Sequence, residues 1–184
     1  LWHGGLRVEK GHFTGWSLGA RFYPVLYMLT RMGASKDWGT GIELKSGLLG
    51  RMNALEVHHI FPKAQLYKQK VPRSQVNAIA NFCFLTKDTN LNIRDTLPEV
   101  YFPKVEAKHP GALASQWIPM DESLWKIDRY ADFLEARKEL LATEANKRFA
   151  SLLHGDDRWI AEPGRVSTIS TTPVAGGISS ADEE

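Results

Sequence analysis

Apolar residues recur with helical spacing in two stretches and with strand-like spacing in two others. Phe22, Val25, Leu26 and Leu29 stand at i, i+3, i+4 and i+7, which predicts a helix over Trp16 to Met32. Pro24 falls in or near its first turns and Gly33 supplies the stop. Tyr130, Phe133, Leu134, Arg137, Leu140 and Leu141 trace one face of a second helix, Asp128 to Leu153, the strongest in the chain. Asp128 is placed to cap it and Gly155 to close it. Ala54 to His58 reads as a short strand with Leu55 and Val57 on one face, and Phe82 to Thr86 as a second.

A long excursion separates the strands, so no tight hairpin is expected. In it, Lys63 to Lys70 reads as a short helix or irregular loop, Val71 to Ser74 as a break, and Ser74 as the cap of a brief helix through Ile79. Asp88 or Thr89 starts a helix into Arg94, and Pro98 to Lys108 is a helix interrupted at Pro103. Ser35 to Gly41 is a loop, Ile42 to Asn53 a short helix and turn, and Ala112 to Trp117 a short element. The predicted fold class is α+β and mainly helical. Two strands alone do not make a stable core, so the helices over Trp16 to Met32 and Asp128 to Leu153 are expected to supply it. Trp117, Trp125 and Trp159 read as packing residues. The predicted organisation is an irregular segment over 1–15, a domain over 16–155 with its motif core at 54–101, and a disordered Ser-, Thr-, Gly- and acid-rich tail over 156–184.

Composition narrows the function classes. With 43% apolar and 24% charged residues the chain is ordinary for a globular protein, and no apolar run approaches the roughly 20 residues of a membrane span. It starts at Leu1 without a leader pattern, which reads as a fragment or a processed or trimmed product. The single cysteine, Cys83, lies in an apolar run, so neither an internal disulfide nor a cysteine zinc knuckle is available. A buried, inert thiol and a cytoplasmic location follow as expectations. The net charge of +2 hides an asymmetry: residues 1–110 hold 15 Lys and Arg against 8 Asp and Glu, a balance of +7, whereas residues 111–184 hold 8 against 13, a balance of −5. The basic half suits a polyanionic substrate.

That half contains Glu56-Val57-His58-His59-Ile60-Phe61-Pro62. Adjacent histidines in a strand point to opposite faces. They converge only if the strand ends between them, which lets one ligate a metal while the other faces substrate. Neutral imidazole suits both tasks, as ligand and as base. An isolated pair of histidines is ordinary. Here it is followed by Asn77-Ala78-Ile79-Ala80-Asn81, an apolar strand, and Thr86-Lys87-Asp88-Thr89-Asn90.

This order resembles the HNH, or ββα-metal, nucleases, whose motif runs acid, any residue, Asp or His, His, apolar, any residue, Pro. An Asn then precedes the second strand, and His or Asn stands on the following helix. The resemblance implies a ββα-metal core embedded in a helical domain and a divalent-metal-dependent endonuclease acting on DNA. It assigns His59 as general base, His58 and Asn90 as metal ligands, and Asn81 as the anchor of the site loop, orienting His59. Histidine at the first ligand position, where aspartate is usual, widens the metal choice from magnesium to manganese, nickel or zinc. Glu56 is either a partner fixing a histidine tautomer or a solvated strand residue, and Asp88 a helix cap or a supporting residue. Lys63, Lys87 and Arg94 flank the motif as candidate phosphate contacts. Together with Ile93 to Tyr101, the block also resembles the C-terminal nuclease domain of GmrSD-like and SspE-like modification-dependent restriction and anti-phage proteins. This implies a ParB/sulfiredoxin-like nucleotide-hydrolysing domain as N-terminal partner.

Three competing readings remain: a non-catalytic nucleic-acid-binding module on the same scaffold, a structural metal domain built on His58, His59, His109 and Asp88, and a helical protein-interaction domain. The last explains Asp128 to Leu153 but not the motif block.

Overall fold

The computed structural model describes residues 7–15, 23–45 and 55–153. It is mainly helical with one two-stranded antiparallel sheet, as the apolar pattern predicts. In chain order the elements are α1 (Tyr23–Met32), β1 (Glu56–His59), α2 (Lys63–Lys68), α3 (Arg73–Val76), β2 (Phe82–Leu85), α4 (Lys87–Ile93), α5 (Pro98–Lys108) and α6 (Tyr130–Leu153), with short 3-10 turns between several of them. The part of the first predicted helix over 16–22, the strand's Ala54, residues 46–53, Gly155, Trp159 and the tail over 156–184 lie outside the described residues.

The strands pair Glu56 with Leu85, Val57 with Phe84, His58 with Cys83 and His59 with Phe82. They are too short to stand alone and are held from two sides. Tyr23 and Tyr27 of α1 meet Phe84 edge-on. On the other side Phe61, just past β1, packs edge-on against Tyr130 and Phe133 of α6. All four residues of β2 are buried, and Trp125 completes the core next to Phe102. Trp125 also donates its indole N–H to the Pro119 carbonyl, so it packs as expected, and Trp117 is partly buried against the same core.

Several boundaries differ from expectation, each for a local reason. Residues 42–45 are not helical. Lys36 and Glu43 form an antiparallel bridge closed by Asp37 N–H to the Ile42 carbonyl and Leu44 N–H to the Ser35 carbonyl, with Gly41 at φ +71° in the turn. Ser74 does not cap α3, because Pro72 has already set the backbone and the helix begins at Arg73. Nor does Asp128 cap α6, since it lies inside a 3-10 turn, Ile127–Arg129, that runs into Tyr130. Pro103 does not interrupt α5: Pro103 and Glu99, the residue whose carbonyl loses its partner, are both exposed, so water can serve that carbonyl. Residues 7–15, expected to be irregular, hold a 3-10 turn, Lys10–Phe13. Phe13 is buried, and Val8 exchanges two backbone hydrogen bonds with the Asn146 side chain on α6. Among the described residues no helix is long and apolar enough to cross a membrane.

Candidate active site

β1 and α4 bring three side chains of the motif into one chain of hydrogen bonds. The Asn90 amide nitrogen donates to Glu56 Oε2 at 2.8 Å, and the Asn90 amide oxygen lies 2.8 Å from His58 Nδ1. A carboxylate only accepts, so the amide orientation is settled by Glu56, and His58 Nδ1 carries the proton donated to Asn90. Glu56 therefore orients Asn90 and not a histidine. Glu56 and His58 sit two apart on β1 and share a face.

His58 is buried, with Trp38 and Tyr101 edge-on to its ring, and its Nε2 has no hydrogen-bond partner among the described residues. Burial pushes its pKa down to about 4 against the opposing bond to Asn90, so the ring is neutral at physiological pH. Moving the Nδ1 proton to Nε2 frees the Nδ1 lone pair, and the imidazole nitrogen and the amide oxygen, 2.8 Å apart, then form a usable bite for a divalent ion. Adjacent ligands of an octahedral ion at about 2.1 Å would be about 3.0 Å apart. His58 and Asn90 therefore fit such an ion in chemistry and spacing, with the half-buried Glu56 carboxylate fixed beside them.

His59 is placed otherwise than expected. β1 continues through it, so the two imidazoles stay on alternate faces and do not converge. The His59 ring lies edge-on to Phe82, its cross-strand partner, with Nε2 3.4 Å from the Asn77 amide oxygen. Its pKa is lowered to about 4 by partial burial, then by the nearby Lys63 cation, so it too is neutral with a lone pair to offer.

Asn81 does not orient His59 and is not open to a substrate. It is fully buried, accepts from Phe61 N–H at 2.9 Å, and donates to the Phe61 and Val76 carbonyls. Its work is to close the excursion onto the end of β1, as the anchoring role requires, and the contact to His59 falls to Asn77. Asp88 is exposed in the first turn of α4; the cap position belongs to Thr86. Lys63 stands beside His59, whereas Lys87 and Arg94 are exposed at opposite ends of α4. His109 donates from Nε2 to the Gly39 carbonyl at 2.9 Å, away from the histidine pair. Among the described residues no three His, Cys, Asp or Glu side chains gather as a metal-holding group, so the closed set of His58, His59, His109 and Asp88 is not assembled. Cys83 is buried, and burial raises its thiol pKa, as an inert thiol requires.

The residue that sequence reasoning missed is Asp37. Its buried carboxylate accepts at Oδ1 from the Thr86 amide and hydroxyl, and at Oδ2 from Thr89 Oγ1 at 2.6 Å, from the Gly39 amide and from the Thr40 amide and hydroxyl. This ties the 35–44 loop to the start of α4, one turn before Asn90. The fit is close: a Cβ on Gly39 would stand 2.3 Å from Thr89 Oγ1. The next residue, Trp38, is the wall behind His58. A turn signal in Asp37-Trp38-Gly39-Thr40-Gly41 was present, but nothing in it pointed to partners 49 and 52 residues away.

Burial alone would raise the Asp37 pKa, but the Thr89, Thr86 and Thr40 hydrogen bonds outweigh it and hold it below the ordinary aspartate value. A carboxylate with a lowered folded pKa contributes stability that is present above its unfolded value. That stability is lost as pH falls through the folded one. The melting temperature should therefore fall as pH is lowered from about 4, more steeply than in Asp37→Asn. That variant should already be weaker by about 2–3 kcal/mol at pH 7, because its amide NH2 faces donors. Parallel pH profiles for the two proteins would show that Asp37 is not the group concerned.

No family model, curated protein or solved structure matches the chain.

Proposed function

We propose that this chain is a divalent-metal-dependent endonuclease of the HNH, ββα-metal class that hydrolyses DNA phosphodiester bonds. The observation that carries this reading is the Glu56–Asn90–His58 chain. It joins residues 32 and 34 apart in sequence through strand and helix, with neutral His59 following His58 on the opposite face of β1. The order strand, excursion, strand, helix is the one that the ββα-metal reading requires.

In this reading His59 accepts the proton of a water whose oxygen attacks phosphorus, and the bond to the 3′-oxygen breaks. Negative phosphate beside His59 offsets the Lys63 charge and raises its basicity as substrate binds. Lys63 stabilises the incoming phosphate. Glu56 keeps the Asn90 oxygen facing His58. A divalent ion, magnesium first and manganese, nickel or zinc after it, would be held by His58 and Asn90, and supplies Lewis-acid stabilisation of the phosphate when bound. The role we assign is the effector domain of a bacterial modification-dependent restriction or anti-phage protein, joined to a nucleotide-hydrolysing ParB/sulfiredoxin-like domain.

The test is conversion of supercoiled plasmid to the nicked form with magnesium or manganese, using modified and unmodified DNA. Nicking should stop on chelation, while the melting temperature moves by only a few degrees, because the fold rests on its own core. Chelation that unfolds the protein favours a structural metal site instead. DNA binding without metal-dependent nicking favours the non-catalytic module.

A further inference from the structure

The excursion between the strands carries an unusual charge pattern. From Val57 to Lys87, 31 residues, there is no Asp or Glu, although 21 in 184 would put between three and four there. The same stretch carries Lys63, Lys68, Lys70, Arg73 and Lys87, all exposed. None of the five is in a salt bridge among the described residues.

The structure ties the excursion that carries this charge to His59. α2 begins at Lys63, whose cation already acts on the His59 ring, and α3 hands over at Asn77, whose oxygen is 3.4 Å from His59 Nε2. The start of the excursion thus acts on the imidazole through charge and its far end through a hydrogen bond, while Lys68 ends α2, Lys70 lies in the turn and Arg73 begins α3. That turn is held in one shape. Pro72 fixes its exit, Lys70 takes a left-handed conformation at φ 59°, and Val71 N–H reaches back to the Leu66 carbonyl. The excursion is also fastened from below, by Asn81 to the Val76 carbonyl and by the Tyr130 hydroxyl to the Gln75 carbonyl. A turn already fixed spares the backbone part of the ordering cost when a ligand arrives. With no carboxylate to satisfy them, its cations suit an extended polyanion more than a single phosphate.

We infer that Lys68, Lys70 and Arg73 form a track for the backbone phosphates of DNA beside the scissile phosphate, a sequence-independent docking surface separate from the residues of the site. This rests on reading the site as a nuclease. The experiment measures anisotropy of a short fluorescein-labelled DNA duplex with His59→Ala protein, and with the K68Q/K70Q/R73Q triple variant in that background, over a series of salt concentrations. Circular dichroism melts confirm that both are folded. The track predicts a Kd raised at least about tenfold near 0.1 M salt and a log–log salt slope shallower by about 2 to 3. Equal affinity and equal slope in the two proteins would overturn it. Hydrolysis of bis(p-nitrophenyl) phosphate by the wild-type chain with manganese tests the nuclease reading by itself, since that diester has no neighbouring phosphates. A silent diester assay together with a lowered salt slope would reject the nuclease and leave the track standing.

Discussion

Replacing His59 with alanine is expected to slow metal-dependent plasmid nicking by about 10²- to 10⁴-fold, the usual loss on removing a general base. The surroundings explain why activity should fall and the fold should not. His59 is half-buried, its ring's hydrogen bond among the described residues is a long 3.4 Å contact to Asn77, and the ring meets Phe82 at an edge. Little of the core depends on it, so the variant should melt within a few degrees of the parent and still bind DNA. His58 is the contrasting case. It is buried between Trp38 and Tyr101 and bonded to Asn90, so its removal disturbs both metal binding and packing. Equal nicking rates for His59→Ala and the parent protein would sink the assignment of His59 as base, and with it the one-metal mechanism in this form.

The second large effect should be structural, at Arg137. This arginine is fully buried in α6 with no carboxylate near enough to pair with it among the described residues. Its Nη1 donates at 2.7 Å to the carbonyls of Ala80 and Phe82, and its Nη2 donates to the Gln116 carbonyl at 3.2 Å. Burial lowers its pKa to about 10, so it remains charged at neutral pH. Two terms oppose each other on substitution by methionine. Removing an unpaired buried cation relieves desolvation, whereas three backbone carbonyls lose their charged donor. The carbonyls cannot be mutated away, and each buried orphan costs about 1–3 kcal/mol. The net loss for Arg137→Met should be about 3–5 kcal/mol by urea denaturation. Lysine should recover only part of it, because an ammonium cannot span three acceptors. A loss under about 1 kcal/mol, within the range of ordinary surface changes, would show that these bonds contribute nothing net.

Periodicity made the elements legible because burial in this chain follows helix and strand spacing. Leu26 and Leu29 are buried on α1, and Phe133, Leu134 and Leu141 on α6. The same pattern misled at one position and under-reported another. Leu140, counted on the apolar face of α6, is 40% exposed, while Arg137 on that face is buried as a charged residue for the sake of the carbonyls across from it. No local rule predicts such a partner. Helix starts were missed where a proline or a 3-10 turn had already set the backbone, as at Ser74 and Asp128. Of the site, His58 and Asn90 were legible from motif spacing and the structure brings them together, whereas Glu56, left open between a histidine partner and a solvated residue, bonds Asn90 instead. Two expectations did not hold. Strand alternation kept His58 and His59 apart, and Asn81 spends its whole amide on backbone groups. Asp37 was illegible, since its role depends entirely on threonines that approach only in the folded chain.

The Arg137 contacts also bear on the order in which the protein is made. Residues 56–90, which supply the whole candidate site, leave the ribosome before α6 has been translated. Until Arg137 follows, the carbonyls of Ala80 and Phe82 have only water in place of its guanidinium, and Phe61 lacks the Tyr130 and Phe133 rings it packs on. The nascent chain therefore carries every residue of the site without the scaffold that holds β2 behind it. A DNA-cutting activity built in this way would arise only once α6 had docked.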